Sequence, residues 1–140
     1  MEFKIIENPK YTNRIDFGLH LNPDNDPLKF FFSSMRKEGF PDLIQGAIRG
    51  EGYIGSPEGV FFFGDLDGED FAEGNIFKEH EVKVYHDNFG ETIITKQLFC
   101  EILFDYSTRL LKHCQEKEFN LGQQWEKNMQ DMLKQLEGML

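Results

Sequence analysis

The chain has 140 residues, and its 25 acidic against 15 basic side chains give a net charge of −10. A groove that holds a phosphate backbone needs clustered Lys and Arg, and an anionic membrane surface attracts the same residues. The composition therefore argues against direct binding to nucleic acid or to a membrane, and it favours a basic protein partner. The length predicts a single domain that spans residues 1–140.

The first third of the chain predicts one strand followed by two helices. The apolar stretch at residues 3–6 is typical of a strand. Dense turn chemistry precedes Asp26, which is placed to cap a helix over residues 27–37 whose first residue is a proline. A second helix is predicted over residues 41–49, because apolar side chains repeat on one face and Gly50 follows them.

The middle of the chain predicts further strands. Residues 60–63 form an apolar run, which we expect to be a strand buried on both faces. Residues 64–74 are acidic and glycine-rich, which predicts a loop. Alternating side chains predict a strand over residues 76–86, and a turn separates it from a short strand at residues 91–94.

Two helices are predicted in the last third of the chain. Thr95 is placed to cap a long helix in which apolar side chains recur with helical spacing. Asn120 is placed to cap a last helix, whose apolar stripe around Trp125 and Met129 we assign to the core. Together the elements predict an α+β fold, with a small, mostly antiparallel sheet packed with helices and a C-terminal helical segment.

The two cysteines bear on the cellular compartment. Cys100 and Cys114 fall in the same predicted helix, which separates them by roughly 21 Å, too far for a disulfide. The chain also lacks an apolar run of about 18 residues and an N-terminal secretion signal. Two reduced thiols in such a chain predict a cytoplasmic protein.

Most of the negative charge lies in one quarter of the chain, since residues 58–91 contain ten acidic and two basic side chains. We predict that this acidic segment docks onto Lys and Arg of a partner; the simpler alternative is a solvated loop that serves solubility. Charge alone does not provide tight binding, so a few aromatic anchors are also expected. The predicted partner-binding residues are Asp65, Asp67, Glu69, Asp70, Glu73, Glu79, Glu81, Tyr53, Phe71 and Tyr85.

No cofactor and no metal ion is predicted. An EF-hand loop that began at Asp65 would need Gly at the position of Asp70 and Glu at the position of Ile76. The glycine-rich segment at residues 50–55 follows a predicted helix and precedes a predicted strand, which is the reverse of a dinucleotide-binding motif. The histidines lack the spacing of zinc ligands.

His80 and His86 offer the alternative of an enzyme. On a regular strand they would share one face, with Glu81, Asp87 and Glu91 nearby, so a small acid–base hydrolase is conceivable. Two surface histidines beside carboxylates are the simpler interpretation, and we predict no enzymatic activity. A third alternative is a regulatory module that mimics nucleic acid with carboxylates spaced along one elongated face.

Several short blocks carry a family resemblance. They are Phe31-Phe-Ser-Ser34, Glu38-Gly-Phe-Pro-Asp42, Ala47-Ile48, Gly55-Ser-Pro-Glu-Gly-Val-Phe-Phe-Phe63 and Glu91-Thr-Ile-Ile94. Over residues 17–114 the chain resembles immunity proteins of bacterial contact-dependent growth inhibition systems, in particular the CdiI group that is paired with ribonuclease toxins. The blocks consist of turn glycines and core aromatics, so they indicate kinship and mark no active site.

The resemblance implies a specific role. Such a protein stays in the cytoplasm of the producing cell and binds the toxin nuclease domain at the C-terminal end of a CdiA-type effector. It occludes the RNA-binding or active site of that domain, which in this group can have an EndoU-like fold, and it has no catalysis of its own. We expect a monomer in a 1:1 complex. The acidic composition agrees with this role, because nuclease domains that grip RNA are usually basic.

Overall fold

The computed structural model describes residues 1–12, 15–117 and 121–140. The strands are β1 Glu2–Glu7, β2 Phe17–Asn22, β3 Glu58–Phe62, β4 Glu81–His86 and β5 Gly90–Thr95. The α-helices are α1 Asp26–Ser34, α2 Phe40–Arg49, α3 Gly68–Glu73, α4 Lys96–Glu116 and α5 Gln123–Glu137. The predicted α+β domain is confirmed, with two small antiparallel sheets where one was expected. Among the described helices, none has the length and apolar character needed to cross a bilayer.

The two sheets are both antiparallel. β1 and β2 form the first sheet, with Phe3 opposite Leu21. The second sheet has the order β3–β4–β5, with Phe62 opposite Val82 and Val82 opposite Ile94. One face of the second sheet packs against α1 and α4. We call the opposite face, which no described helix covers, the outer face.

Phenylalanine rings form the centre of the core. Phe99 on α4 is fully buried. Its ring centroid lies 5.9 Å from that of Phe31, 5.8 Å from that of Phe32 and 6.0 Å from that of Phe62. One residue therefore joins α4 to α1 and to the second sheet, which is why the aromatic blocks of the sequence converge on it.

Several local predictions for α2 and α4 are confirmed. The Thr95 hydroxyl caps α4 by accepting the main-chain N–H of Leu98 at 3.1 Å. Gly50 ends α2 in the left-handed conformation, with φ of 73°, which glycine adopts without steric cost. Cys100 and Cys114 are buried free thiols on α4.

The prediction for α1 is wrong at both ends. The N-cap is Asn25, whose side chain accepts the main-chain N–H of Leu28 at 3.2 Å, so Asp26 becomes the first helical residue. The helix ends at Ser34 because Met35 has extended backbone, with ψ of 130°. A single 3-10 turn then leads into α2.

α5 covers α2 and α4, and its apolar stripe is buried, as predicted. The indole N–H of Trp125 donates to the main-chain oxygen of Lys37 at 2.9 Å, which ties α5 to the α1–α2 connection. The predicted cap, Asn120, lies outside the described residues. Gly122 occupies the N-cap position of α5 and provides no side-chain cap.

The strand predictions need three corrections. β2 was not predicted, although Phe17, Leu19 and Leu21 alternate and are buried. The strand predicted over residues 76–86 forms only in its second half, because its partner β5 spans just six residues before α4 begins. The run at residues 60–63 is not buried on both faces, since no described helix covers the outer face.

Candidate partner-binding surface

The predicted acidic segment lies in one place in the fold. Residues 63–80 connect β3 to β4, and they leave and rejoin the second sheet at the same end, because the last residue of β3 pairs with the second residue of β4. We call residues 63–80 the acidic connection. Its carboxylates are Asp65, Asp67, Glu69, Asp70, Glu73 and Glu79, and Glu81 follows as the first residue of β4.

The acidic connection is partly helical, which corrects the loop predicted for residues 64–74. The Asp67 carboxylate accepts the main-chain N–H of Asp70 at 2.9 Å, and the Asp70 carboxylate accepts that of Asp67 at 3.0 Å. This reciprocal pair starts α3, and Gly74 ends it with φ of 75°. The hydrogen bond from the Asp70 N–H lowers the pKa of Asp67 below its usual value.

Asp65 and Glu81 also serve the backbone of the acidic connection. The Asp65 carboxylate accepts the main-chain N–H of Phe62 at 2.7 Å, and that of Glu81 accepts the N–H of Lys78 at 2.8 Å. Four of the seven predicted carboxylates therefore stabilise the local fold. The other three are Glu69, Glu73 and Glu79, all exposed.

Those three exposed carboxylates differ in their contacts. Glu73 accepts one hydrogen bond from the side chain of Asn75 at 3.2 Å. Within residues 1–12, 15–117 and 121–140, the carboxylates of Glu69 and Glu79 form no hydrogen bond or ion pair. These three side chains are the ones that can turn to a partner without disturbing α3.

Phe71 adds an exposed apolar group to the acidic connection. Its side chain is 51% exposed, and its ring rests edge-on against Phe63, with centroids 6.3 Å apart. Ile76, at 48% exposed, follows in the same connection. An apolar side chain that α3 holds in place among carboxylates has the character of a binding anchor, because a partner that covered it would remove apolar surface from water.

Tyr53 and Tyr85, the other predicted anchors, have internal contacts. The Tyr85 hydroxyl donates to the main-chain oxygen of Gly55 at 2.6 Å and accepts its N–H at 3.2 Å. Any Cβ at Gly59 would collide with the Tyr85 ring. Tyr53 pairs with the main chain of Val60 and packs against the core. Both tyrosines fix the loop before β3, and Tyr85 lies near the far end of β4 from the acidic connection.

The sequence analysis missed an apolar part of the outer face. Phe61 is half-buried, and Ile93 is 48% exposed. Between them on β4, Lys83 lies 5.5 Å from the Phe61 ring centroid and 3.9 Å from the carboxylate of Glu91. The signal was the two-residue period of the strands, which puts Phe61 on the opposite face from Val60. This face lies next to the acidic connection along β3 and β4.

The two histidines of the alternative enzyme site do not come together. His80 precedes β4 and is exposed, whereas His86 ends β4 and is buried. A strand rises about 3.3 Å per residue, so the two are roughly 20 Å apart. The geometry therefore does not place the two histidines in one site.

His86 forms a different polar contact, with a serine. Its Nε2 lies 3.0 Å from the Ser34 hydroxyl, and its Nδ1 accepts the main-chain N–H of Asn88 at 3.1 Å. Because Nδ1 accepts a hydrogen bond, it carries no proton in the neutral ring. The proton is therefore on Nε2, which donates to the Ser34 hydroxyl. A general base needs the opposite arrangement, with a bare nitrogen toward the hydroxyl. This pair is thus built as a structural hydrogen bond.

Glu58 lies opposite His86 in the register of β3 and β4 and is 5% exposed. Its Oε2 has no hydrogen-bond partner in the described part of the chain. Burial raises the pKa of this carboxyl above its usual value, although the main-chain N–H of Glu58 itself and the charge of Arg36 partly oppose the effect. Glu58 is a buried carboxyl group that the sequence analysis did not single out.

The described residues contain no group of three His, Cys, Asp or Glu side chains that could hold a metal ion. The carboxylates of the calcium-like run Asp65-x-Asp67-Gly68-x-Asp70 are instead directed at main-chain N–H groups.

Comparisons with protein-family models, with curated proteins and with solved structures returned no match. The resemblance to immunity proteins therefore stays a prediction from the sequence blocks, and the site has to be interpreted from its own geometry.

Proposed function

We propose that this chain is a non-enzymatic binding protein that captures a basic protein partner through the acidic connection. More specifically, we propose that it is a CdiI-type immunity protein and that the partner is the ribonuclease toxin domain of a CdiA-type effector. The complex would form 1:1 in the cytoplasm of the producing cell. The observation that carries the proposal is the exposed Phe71 on a capped helix that also carries the exposed carboxylates of Glu69 and Glu73.

The rigidity of α3 supports a binding role. The Asp67–Asp70 pair and Gly74 fix both ends of the helix, so Phe71 and its neighbouring carboxylates need little further ordering when they meet a partner. Because ordering an interface costs free energy, a preorganised surface binds more tightly than a mobile loop of the same composition. A loop retained only for solubility would not need this construction.

The charge of the surface supports a basic partner. Complementary fields raise association rates toward about 10⁸–10⁹ M⁻¹s⁻¹ at low salt. A toxin that cleaves RNA needs Lys and Arg along its RNA site, and carboxylates that pair with those side chains would occlude that site. Nanomolar protection requires about −12 kcal/mol of binding free energy, which explains why an apolar anchor accompanies the charge.

The arrangement gives less support to the two other candidate functions. A nucleic-acid mimic would spread its carboxylates along an elongated face, whereas six of them lie in one short connection. A hydrolase built on His80 or His86 would pair one of them with a carboxylate, and in the described residues no hydrogen bond joins either imidazole to a carboxylate.

The test uses the C-terminal domain of the effector that we expect to be encoded directly upstream of the gene for this chain. We expect that domain to cleave RNA, the full chain to stop cleavage at equimolar concentration, and the two proteins to co-elute as a 1:1 complex. Cleavage that continues under a molar excess of the chain would overturn the proposal, as would the absence of a ribonuclease effector from that locus. Turnover by the chain alone of phosphoester or ester substrates would also overturn it.

A further inference from the structure

A second concave site lies away from the acidic connection. It is a cavity of about 610 Å³ between residues 11, 12 and 15, the end of α1, the α1–α2 connection and α4. Aromatic side chains form much of its lining, with Arg36 and Glu38 among its charged residues; the aromatic residues are Tyr11, Phe30, Phe40 and Tyr106. It shares no lining residue with the acidic connection, and its volume is in the range of sites for small molecules.

Tyr106 gives this cavity a polar group without a protein partner. Its side chain is 2% exposed, and its ring is held by Phe17, Phe32 and Phe40 at centroid distances of 5.1, 5.0 and 5.8 Å. Within the described residues its hydroxyl makes no hydrogen bond. Buried hydroxyls are nearly always bonded, so a free one in a cavity lining marks a position where a ligand atom can bind.

The contrast with Tyr11 makes this feature specific. The Tyr11 hydroxyl also belongs to the cavity lining, but it donates to the main-chain oxygen of Leu19 at 3.0 Å and accepts its N–H at 2.6 Å. Its hydrogen-bonding capacity is used by the protein. Of the two phenols, only that of Tyr106 is available to a ligand.

Arg36 gives the cavity a preference for anions. Its side chain is exposed at the rim and forms no hydrogen bond or ion pair with any described residue, although its charge also acts on the buried Glu58. Lys37 lines the cavity as well, and Glu38 is the one acidic residue of the described lining. In a chain of net charge −10, the described part of the lining carries two basic side chains and one acidic one.

We propose that this cavity binds a small aromatic molecule that carries a carboxylate or a phosphate. The ring would lie among Tyr11, Phe30 and Phe40, a polar substituent would bond to the Tyr106 hydroxyl, and the anionic group would pair with the Arg36 guanidinium. Arginine suits both anions because its planar fork matches their oxygen atoms. The site is independent of the proposed toxin-binding function, since it uses other residues.

The test titrates the full chain with 4-hydroxybenzoate and with 4-hydroxyphenyl phosphate at concentrations of about 1 mM, which detect weak ligands, and follows amide resonances by NMR. 4-Hydroxybenzyl alcohol serves as the uncharged analogue. We expect saturable shifts at the cavity lining with at least one anion, and this comparison also tells which anionic group the site prefers. Shifts that are absent, or that lie outside the lining, would overturn the proposal.

Two variants make the assignment specific. Tyr106→Phe removes only the hydroxyl and should weaken binding of the anions by about fivefold to tenfold. Arg36→Gln should weaken the anions about twofold to fivefold, because an ion pair at the exposed rim is screened by solvent, and it should leave the uncharged analogue unaffected. The matched controls are Tyr53→Phe and Arg49→Gln, which lie outside the lining. Equal affinities for the parent chain and for both cavity variants would overturn the proposal, whatever the outcome with the toxin.

Discussion

Asp67 and Asp70 accept each other's main-chain N–H, at 2.9 and 3.0 Å. Asp67 and Asp70 belong to the acidic run that predicted a docking surface. The same two residues also start α3. Reversing their charge would disturb the helix and the proposed contact together, so the result could not be interpreted. Glu69, Glu73 and Glu79 have no such structural role and are the better residues for testing the surface.

Charge reversal at these three residues should slow complex formation. The combined variant Glu69→Lys, Glu73→Lys, Glu79→Lys is expected to reduce the association rate with the toxin domain about tenfold or more at low salt, because it removes the attractive field. The salt dependence of the rate should flatten as well. Stopped-flow mixing at a series of ionic strengths measures both effects.

The control variant must change the net charge by the same amount elsewhere. Glu2→Lys, Asp24→Lys and Glu137→Lys do so at exposed positions outside the acidic connection. We expect this control to slow association much less. If both variants slow it equally, then net charge alone drives the encounter and the acidic connection has no special role.

Substitution of two phenylalanines should distinguish a residue that stabilises the fold from a residue that binds the partner. Phe99→Ala removes the ring at the centre of the core and should lower the free energy of unfolding by about 3–5 kcal/mol. Phe71→Ala loses the edge-on contact with Phe63 and should lower that free energy by only about 0.5–1.5 kcal/mol, but it should weaken the toxin complex by about 2 kcal/mol. Urea unfolding and calorimetric titration measure the two quantities. A destabilised but tightly binding Phe71→Ala variant would contradict the anchor role.

Asp16 connects the end of the β1–β2 loop to α4 and should make stability depend on acid pH. It accepts hydrogen bonds from His113 Nδ1 at 2.8 Å and from Arg109 at 3.2 Å, and Lys117 lies 3.8 Å away. Burial raises the pKa of Asp16, but the hydrogen bond from His113 and the charges of His113 and Arg109 outweigh it and lower the pKa below 3.8.

Because the folded pKa is lowered, the stabilisation from Asp16 is complete above pH 3.8 and is lost as pH falls through the folded pKa. Asp16→Asn should therefore cost about 1 kcal/mol at neutral pH, a partly exposed network being screened by solvent. The deficit should disappear in strong acid. Thermal unfolding across pH measures it, with Asp24→Asn as the exposed control; a deficit that persists unchanged in acid would contradict this assignment.

Glu58 should make the free energy of unfolding depend on pH in the opposite sense to Asp16. Burial raises its folded pKa above 4.5, so ionisation disfavours the folded state, and stability is lost as pH rises from 4.5 through the folded pKa. Glu58→Gln, which cannot ionise, should raise the free energy of unfolding at pH 7 by about 1 kcal/mol. The gain should vanish below pH 4.5. A variant that is less stable than the parent chain at pH 7 would contradict this assignment.

The features that could be predicted from the sequence are those that depend on residues close together in the chain. Thr95 and Gly50 act on main-chain groups within one helical turn, so residue type and position sufficed to locate them. α1 was missed by one residue at its start because Asn25 and Asp26 are both good caps, and only the geometry of the preceding turn selects Asn25. α3 was missed because its six residues are too few for a periodic pattern.

The features that could not be predicted depend on contacts between residues that are far apart in the sequence. That Asp65 and Glu81 bond to main-chain N–H groups is decided by the path of the acidic connection. The cavity around Tyr106 arises from segments far apart in the chain, and an unbonded hydroxyl leaves no trace in the sequence. Tyr53 and Tyr85 looked like anchors because exposed and buried tyrosines cannot be told apart by residue type.

The hydrogen bond between Trp125 and Lys37 has a practical consequence. The chain contains a single tryptophan, so its emission spectrum reports one location without any label. Detachment of α5 would expose the indole to water and shift that emission to the red. Since Lys37 also lines the cavity, the same intrinsic fluorophore sits within reach of a ligand bound there.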